Sequence, residues 1–317
     1  MSSANNVAKL QTKPQWGAGG NSLWVEAIKN MRRNRSAIIG MVIIGFLLVI
    51  ALSAPVIAPY NPNLPMIGQP GHSGRLPGRA PCIHLLGCPI EEPEHYMGLD
   101  LNARDMFSRI LYGAWESLRV GFLSVMFAII VGSFAGMIAG YFGGWIDNVI
   151  MRFMDVLLAF PSLLLAIAIV TVLGPGLENA LLAIAIVSIP AYARLARASV
   201  LQIKHFEYIT AVRTLGASDL RILFVHILPN ALTPLIVQGT LGIGTAVLDA
   251  AALSFLGLGA QPPTPEWGAI LSEGRNRVFT EPHLVFFPGL AIMITVLGFN
   301  LLGDGMRDAL DPRLNRN

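Results

Sequence analysis

Charged residues make up only 13% of the 317 positions, against 54% hydrophobic, where an ordinary soluble domain is about a quarter charged. A chain so short of charge cannot cover a water-facing surface, and the balance fits lipid as its solvent. Cysteine is nearly absent, with two in all, which rules out a disulfide-scaffolded fold and leaves a single bridge to consider. Lysine is rare too, and none of Lys9, Lys13, Lys29 and Lys204 follows the glycines of a Gly-x-x-x-x-Gly-Lys-Ser/Thr phosphate loop. The formal charge of +3 comes from basic residues lying between apolar runs, not from a patch interleaved with aromatics, so no nucleic-acid partner is expected.

Residues 1–22 are polar and glycine-rich, without the short apolar stretch of a cleaved signal peptide. Six runs further on are long and apolar enough to span a bilayer: 37–58, 118–140, 148–173, 179–199, 231–258 and 284–303. The expected fold class is therefore an all-α polytopic membrane protein with six transmembrane helices. Basic residues retained on the cytoplasmic side set the orientation. Lys9, Lys13, Lys29, Arg32, Arg33 and Arg35 precede the first span, Arg194, Arg197, Lys204, Arg213 and Arg221 crowd the fourth connection, and Arg307, Arg313 and Arg316 end the chain. Both termini are thus expected in the cytoplasm, with 1–36 and 305–317 as cytoplasmic segments, 59–116 as an extracytoplasmic loop, and 117–304 as the five-helix core.

Two segments outside a simple count of spans carry a pattern. In 22–35, Leu23, Trp24, Ala27, Ile28 and Met31 form one helical stripe, which reads either as an interfacial helix on the inner leaflet or as a solvated basic tail. In the second span, Ser124, Ala128, Gly132, Gly136 and Gly140 place a small residue at every fourth position, a ridge for close helix packing within the chain or against another subunit.

The outer loop opens with proline and glycine and turns amphipathic from Asp105 to Trp115. Both cysteines, Cys82 and Cys88, fall in it, on the side where disulfides persist. A bridge between them, two free thiols, and a metal site drawing on His72, His84, His95, Glu91, Glu92 and Glu94 all stay open; the spacing fits no tight ligand signature.

The connection 204–230 is the most informative stretch. Its spacing predicts two short helices, the first ending at Gly216 in a left-handed cap, the second starting at Ser218 or Asp219 and stopping before Pro229. Phe206, Ile209 and Val212 line one side of the first. A bent, partly apolar helix pair of this kind is a docking element.

The run Glu207-Tyr-Ile-Thr-Ala-Val-Arg-Thr-Leu-Gly216, followed by Ile227-Leu-Pro229, resembles the Glu-Ala-Ala loop of binding-protein-dependent ABC importer permeases, with Tyr208 in place of the common alanine. The segment from Met97 to Arg109 resembles an outer-loop signature written Gly-Thr-Asp-x-x-Gly-Arg-Asp, from which Asn102 and Ala103 depart. The runs starting at Asp155, Ala252 and Asn300 are similar to the dipeptide, oligopeptide, glutathione and nickel permeases, above all to the second permease subunit of dipeptide importers. The resemblance implies a type I importer permease fold. It also implies a coupling helix at about 204–229 through which Glu207, Tyr208, Ala211, Leu215, Gly216, Ala217, Ser218 and Asp219 meet an ATPase subunit. The partners it implies are a second homologous permease, two ATP-binding subunits that carry the ATP and Mg, an extracytoplasmic substrate-binding protein, and membrane lipid. No cofactor or metal is expected in the chain itself.

An intramembrane protease finds no support, because all six histidines lie outside the middle of the spans. Asp155 and Asp249 invite comparison with an aspartyl pair, but no enzyme is expected. Asp249 sits far from either polar boundary, and such a residue faces a cavity or a partner. Two readings stay open for it, a place on the substrate path or a structural pairing with Arg152 or another polar group. The rival to an ATP-driven permease is a secondary transporter or channel, which ordinarily shows internal repeats; no convincing duplication is visible here.

Overall fold

The computed structural model describes residues 30–72 and 76–310; the stripe of 22–35 and the tail from 311 fall largely or wholly outside them. Among the described residues the chain is helical, with only two isolated bridges, Cys82 to His95 and Leu99 to Asp105, in extended backbone. The helices are α1 (Arg35–Ile57), α2 (Met106–Phe142), α3 (Gly144–Leu158), α4 (Ser162–Leu173), α5 (Leu177–Ile203), α6 (Glu207–Thr214), α7 (Asp219–Phe255), α8 (Trp267–Gly274) and α9 (His283–Leu310). Five of these are long and apolar enough to cross a bilayer, and α3 with α4 makes a sixth, broken crossing.

Helix α1 starts where the Asn34 side chain accepts from the Ala37 amide at 3.2 Å and stops before Pro59. Its buried positions, Ala37, Gly40, Ile44, Leu47, Ala51 and Ala54, recur every three or four residues and pack on α9 and α2. Helix α2 has 37 residues, about 55 Å at 1.5 Å per residue, against about 30 Å of hydrocarbon. It therefore projects beyond the bilayer, and Asp105–Trp115, expected in the loop, is instead its first turns. The physical reason is the cap: the Asp105 carboxylate accepts from the Ser108 amide at 2.8 Å and starts the helix three turns early.

The small-residue ridge of α2 is spent inside the chain. Ser124, Ala128, Gly132, Gly136 and Gly140 are all buried against α5, and a Cβ at Gly136 would lie 2.1 Å from the Ala193 carbonyl oxygen. Of the two readings of the ridge, the fold realises intrachain packing. Around it a core forms from α2, α5 and α7, including Val125, Ile184, Ala193, Val200, Ile222 and Ile227. A second core joins α1, α8 and α9 to the outer turns of α2 through Ile44, Ile110, Leu118, Trp267 and Phe299.

Two further expected boundaries are corrected. The run 148–173 is not one helix: α3 and α4 meet at 91°, because Pro161 lacks an amide hydrogen and holds Phe160 away from helical backbone. Conversely, no helix stops before Pro229. A single α turn from Asp219 widens into a π segment, Ile222–Ile227, and runs straight on as Leu228–Phe255. The wider turn passes the amide-less Pro229 without a break.

Beyond α1 a cap of residues 58–72 and 76–105 folds over a small core of Met66, Leu76, Leu99 and Ala103. Buried ion pairs fasten it to the bundle. Arg104 pairs with Asp100 at 2.6 Å and with Glu273 of α8 at 2.8 Å, while Arg109 lies 3.3 Å from each of the same two carboxylates. Ala103, standing where the resembled signature has glycine, holds φ at +57°, the left-handed region that costs a side-chain residue about 1–2 kcal/mol.

Candidate functional site

At the opposite end of α2 from the cap, α6 and the start of α7 form an elbow. Its inner side is anchored: Ile209, Ile222, Leu223 and Ile227 are buried, with Val212 and Ala217 packed partly against the same core. The expected stripe thus holds at Ile209 and Val212, but Phe206 at the N-cap is exposed. Gly216 makes the bend with φ at +82°, and the Ala217 amide reaches back to the Val212 carbonyl at 3.3 Å. The Ser218 hydroxyl accepts from the Arg221 amide at 3.4 Å and opens α7.

What remains outside is the combination expected of a docking face. Glu207, Tyr208, Ala211, Ser218 and Asp219 are exposed, Leu215 is 86% exposed and Leu220 66%. Two such leucines stand largely in the open on a short bend, and fully burying each is worth about 1.5–3 kcal/mol. The sequence missed the side chain that ties the elbow's two arms together. The Tyr141 hydroxyl, at the end of α2, donates to the Asp219 carboxylate and accepts from Arg213 at 3.2 Å, and the Arg213 guanidinium lies 5.7 Å from the Tyr141 ring centre. Lys204 donates to the Gly140 carbonyl at 2.8 Å, fixing the C-terminal end of α2 to the start of the elbow. Arg197 grips Asp147 with two bonds of 2.6 Å, and Arg194 meets Asp155 at 2.6 Å, so α3 is held to α5 near the same end.

Asp155 is therefore an ion-pair residue on the surface and does not meet Asp249. Asp249 is half-buried on α7 and makes no hydrogen bond or ion pair among the described residues, so its pairing with Arg152 is not realised. At the cap end, Cys82 and Cys88 are joined as a disulfide with Cα atoms 5.4 Å apart. The other candidate ligands disperse: His84 lies 3.4 Å from Glu94, Glu92 pairs with Arg79, and His72 and His95 turn to each other. Among the described residues, one group of three ligand atoms is close enough for a metal, Cys82, Cys88 and Glu92, and its two sulfurs are already bonded.

A multi-span helical bundle with a cap at one end and a bent, exposed elbow at the other defines the class: a polytopic helical membrane protein. Residues 132–316 match the model of the binding-protein-dependent transport system inner membrane component, and residues 22–73 match the N-terminal transmembrane domain of oligopeptide transport permease C. The chain belongs to the binding-protein-dependent transport permease family. It is 50% identical over 293 residues to the dipeptide transport system permease protein DppC of Alkalihalophilus pseudofirmus, covering 92% of this chain and 91% of that one. It is 53% identical over 220 residues to the glutathione transport system permease protein GsiD of Pectobacterium atrosepticum, covering 69% and 73%. With GsiD of Escherichia coli O6:K15:H31 it shares 46% over 291 residues, covering 92% and 91%. The fold matches the inward-facing MetNI methionine ABC transporter with a TM-score of 0.53 at 22% identity, over 65% of this chain and 98% of that one.

Proposed function

We propose that this chain is one of two permease subunits of an ATP-driven importer in the plasma membrane, that it moves short peptides inward, and that its elbow receives the force. Both termini lie in the cytoplasm, and the cap faces a substrate-delivering binding protein on the other side. ATP and Mg are held by two separate ATPase subunits. Their closure pushes the elbow as a rigid lever and shifts the bundle between inward-open and outward-open states.

The observation that carries this reading is the contrast within one short bend. Ile209, Ile222 and Ile227 bolt it to the core, while Leu215 and Leu220 stand in the open. A lever needs both properties, since a loosely held bend would absorb motion and a covered one could not receive it. Dipeptides are the first choice of cargo, because a relative 50% identical over 92% of this chain carries that name; glutathione, a tripeptide named for a relative 53% identical over 69% of it, is the next. Asp249, half-buried and unpaired, is the residue we place on the path. Its carboxylate is the charge that a peptide ammonium would seek.

The test is uptake of labelled dipeptide by vesicles containing the permease pair, the ATPases and the binding protein. Uptake should require ATP, persist when the proton gradient is collapsed, and fall at least tenfold in Gly216→Val with normal membrane insertion. Uptake that follows the proton gradient instead would replace the reading with a secondary transporter.

A further inference from the structure

The cap holds a histidine pair that the transport reading leaves unused. His95 is buried and its ring packs on Tyr60, centres 5.0 Å apart and planes tilted by 35°; His72, half-buried, approaches from the 66–72 turn, with the two Nε2 atoms 3.0 Å apart. The other nitrogen of each ring is already committed. His95 Nδ1 meets the Asp105 carboxylate at 2.8 Å, and His72 Nδ1 meets the Pro70 carbonyl at 3.1 Å. Both partners can only accept, so each Nδ1 carries its hydrogen. A neutral imidazole has one hydrogen, so with both rings neutral the facing Nε2 atoms are two bare lone pairs at hydrogen-bond distance.

A proton or a metal ion between them relieves this, as does a neutral His72 that moves its hydrogen to Nε2 and gives up the exposed Pro70 contact. Ring geometry separates the proton from the metal. The ring centres are 5.2 Å apart, which exceeds the nitrogen separation by about the two ring radii, so the rings point nose to nose. A straight N–H···N bond requires that arrangement. A metal held by both at about 2.0–2.1 Å would sit off the line and draw the rings into a V with closer centres.

We propose that His72 and His95 share one proton, forming a pH-sensitive clasp between the 66–72 turn and the base of the cap. Titratable groups near it are Asp105, Glu94, Tyr60 and Tyr96. Asp105 lies behind His95 and at the same time caps α2, accepting from the Ser108 amide and hydroxyl. Glu94 accepts from the His84 amide and from Tyr96, and its main-chain carbonyl accepts from the Tyr60 hydroxyl at 3.3 Å. Tyr60 itself stays a neutral phenol, since burial and then Asp105 push its pKa above the ordinary value; Tyr96 is pushed the same way by Glu94. Through His95 the clasp meets the disulfide segment, because the His95 and Cys82 backbones exchange two hydrogen bonds of 2.9 Å. The proton thus connects three parts of the cap: the turn, the cysteine loop and the start of α2.

The sign follows directly. A shared proton makes the contact stronger in acid and weaker as pH rises. Hydrogen exchange of the full chain in lipid nanodiscs, in EDTA and corrected for intrinsic rates, tests this at pH 5.5 and 8.0 on the amides of 66–72. Protection should be at least fivefold greater at pH 5.5 in the unaltered protein. It should be the same at both pH values in His72→Gln, whose amide can donate to His95 without taking up a proton. Equal protection at both pH values in the unaltered protein would overturn the proposal. So would a pH dependence that survives in His72→Gln, or protection that appears only when zinc replaces EDTA.

Discussion

The two ends of the molecule are built on opposite terms. The cap closes on itself, with a disulfide, a buried carboxylate–histidine contact and the Asp100, Arg104, Arg109 and Glu273 cluster all directed inward. The elbow keeps only its inner face for the fold and leaves Leu215, Gly216, Asp219 and Leu220 outside. Charge shows the same division. At the cap Asp100, Arg104, Asp105 and Arg109 are buried with charged partners, and removing the sole partner of a buried ion leaves it uncompensated. The elbow spends Arg213 and Asp219 on a single tyrosine and otherwise exposes its polar groups. Both ends leave apolar side chains in the open, Leu85, Leu86 and Ile90 at the cap and Leu215 and Leu220 at the elbow, so the ends differ in how their polar contacts are arranged.

The comparison is broken most severely by attacking what connects the ends. Gly136→Leu drives a side chain into the Ala193 carbonyl and should destabilise the bundle by about 3 kcal/mol or more, read as loss of a monodisperse peak in detergent. Next comes the cap: Arg104→Ala should cost about 1.5–3 kcal/mol by leaving Asp100 and Glu273 to Arg109 at 3.3 Å, lowering the melting temperature while leaving ATPase stimulation per folded complex unchanged. Leu215→Asp should do the reverse, keeping the melting temperature and reducing transport-coupled ATP hydrolysis at least tenfold, since the side chain touches little in the fold. Tyr141→Phe removes one hydroxyl between the elbow's arms and should lower coupling severalfold with under about 1.5 kcal/mol of lost stability. Ala103→Gly is the smallest, a gain of under about 1 kcal/mol. Relief of the left-handed backbone is offset in part by the lost buried methyl.

Much of this was legible in the sequence because hydrophobic length and turn chemistry are local. The spans, the Gly216 bend and the Ser218 cap follow from a few neighbouring residues. The misplaced boundaries came from weighing local signals wrongly. Pro161 broke a run whose hydropathy was continuous, whereas Pro229 broke nothing because a π turn absorbed it. Asp105 announced the true start of α2, yet its amphipathic first turns read as loop. Contacts that join distant segments were beyond reach: Tyr141 meets residues more than 70 positions away, and His72 finds His95 only once the cap has closed. No spacing rule links them.

The central claim is that the elbow is where a separate motor grips this permease. With Cys82 and Cys88 bonded to each other, Leu215→Cys would introduce the chain's sole free thiol. Short-arm crosslinking of that variant in the assembled transporter, with Leu86→Cys in the cap as the counterpart, measures it directly. The account predicts a crosslink from position 215 to an ATPase subunit and none from position 86. A crosslink to the ATPase from position 86, or none from position 215 in a complex that still hydrolyses ATP, would contradict it.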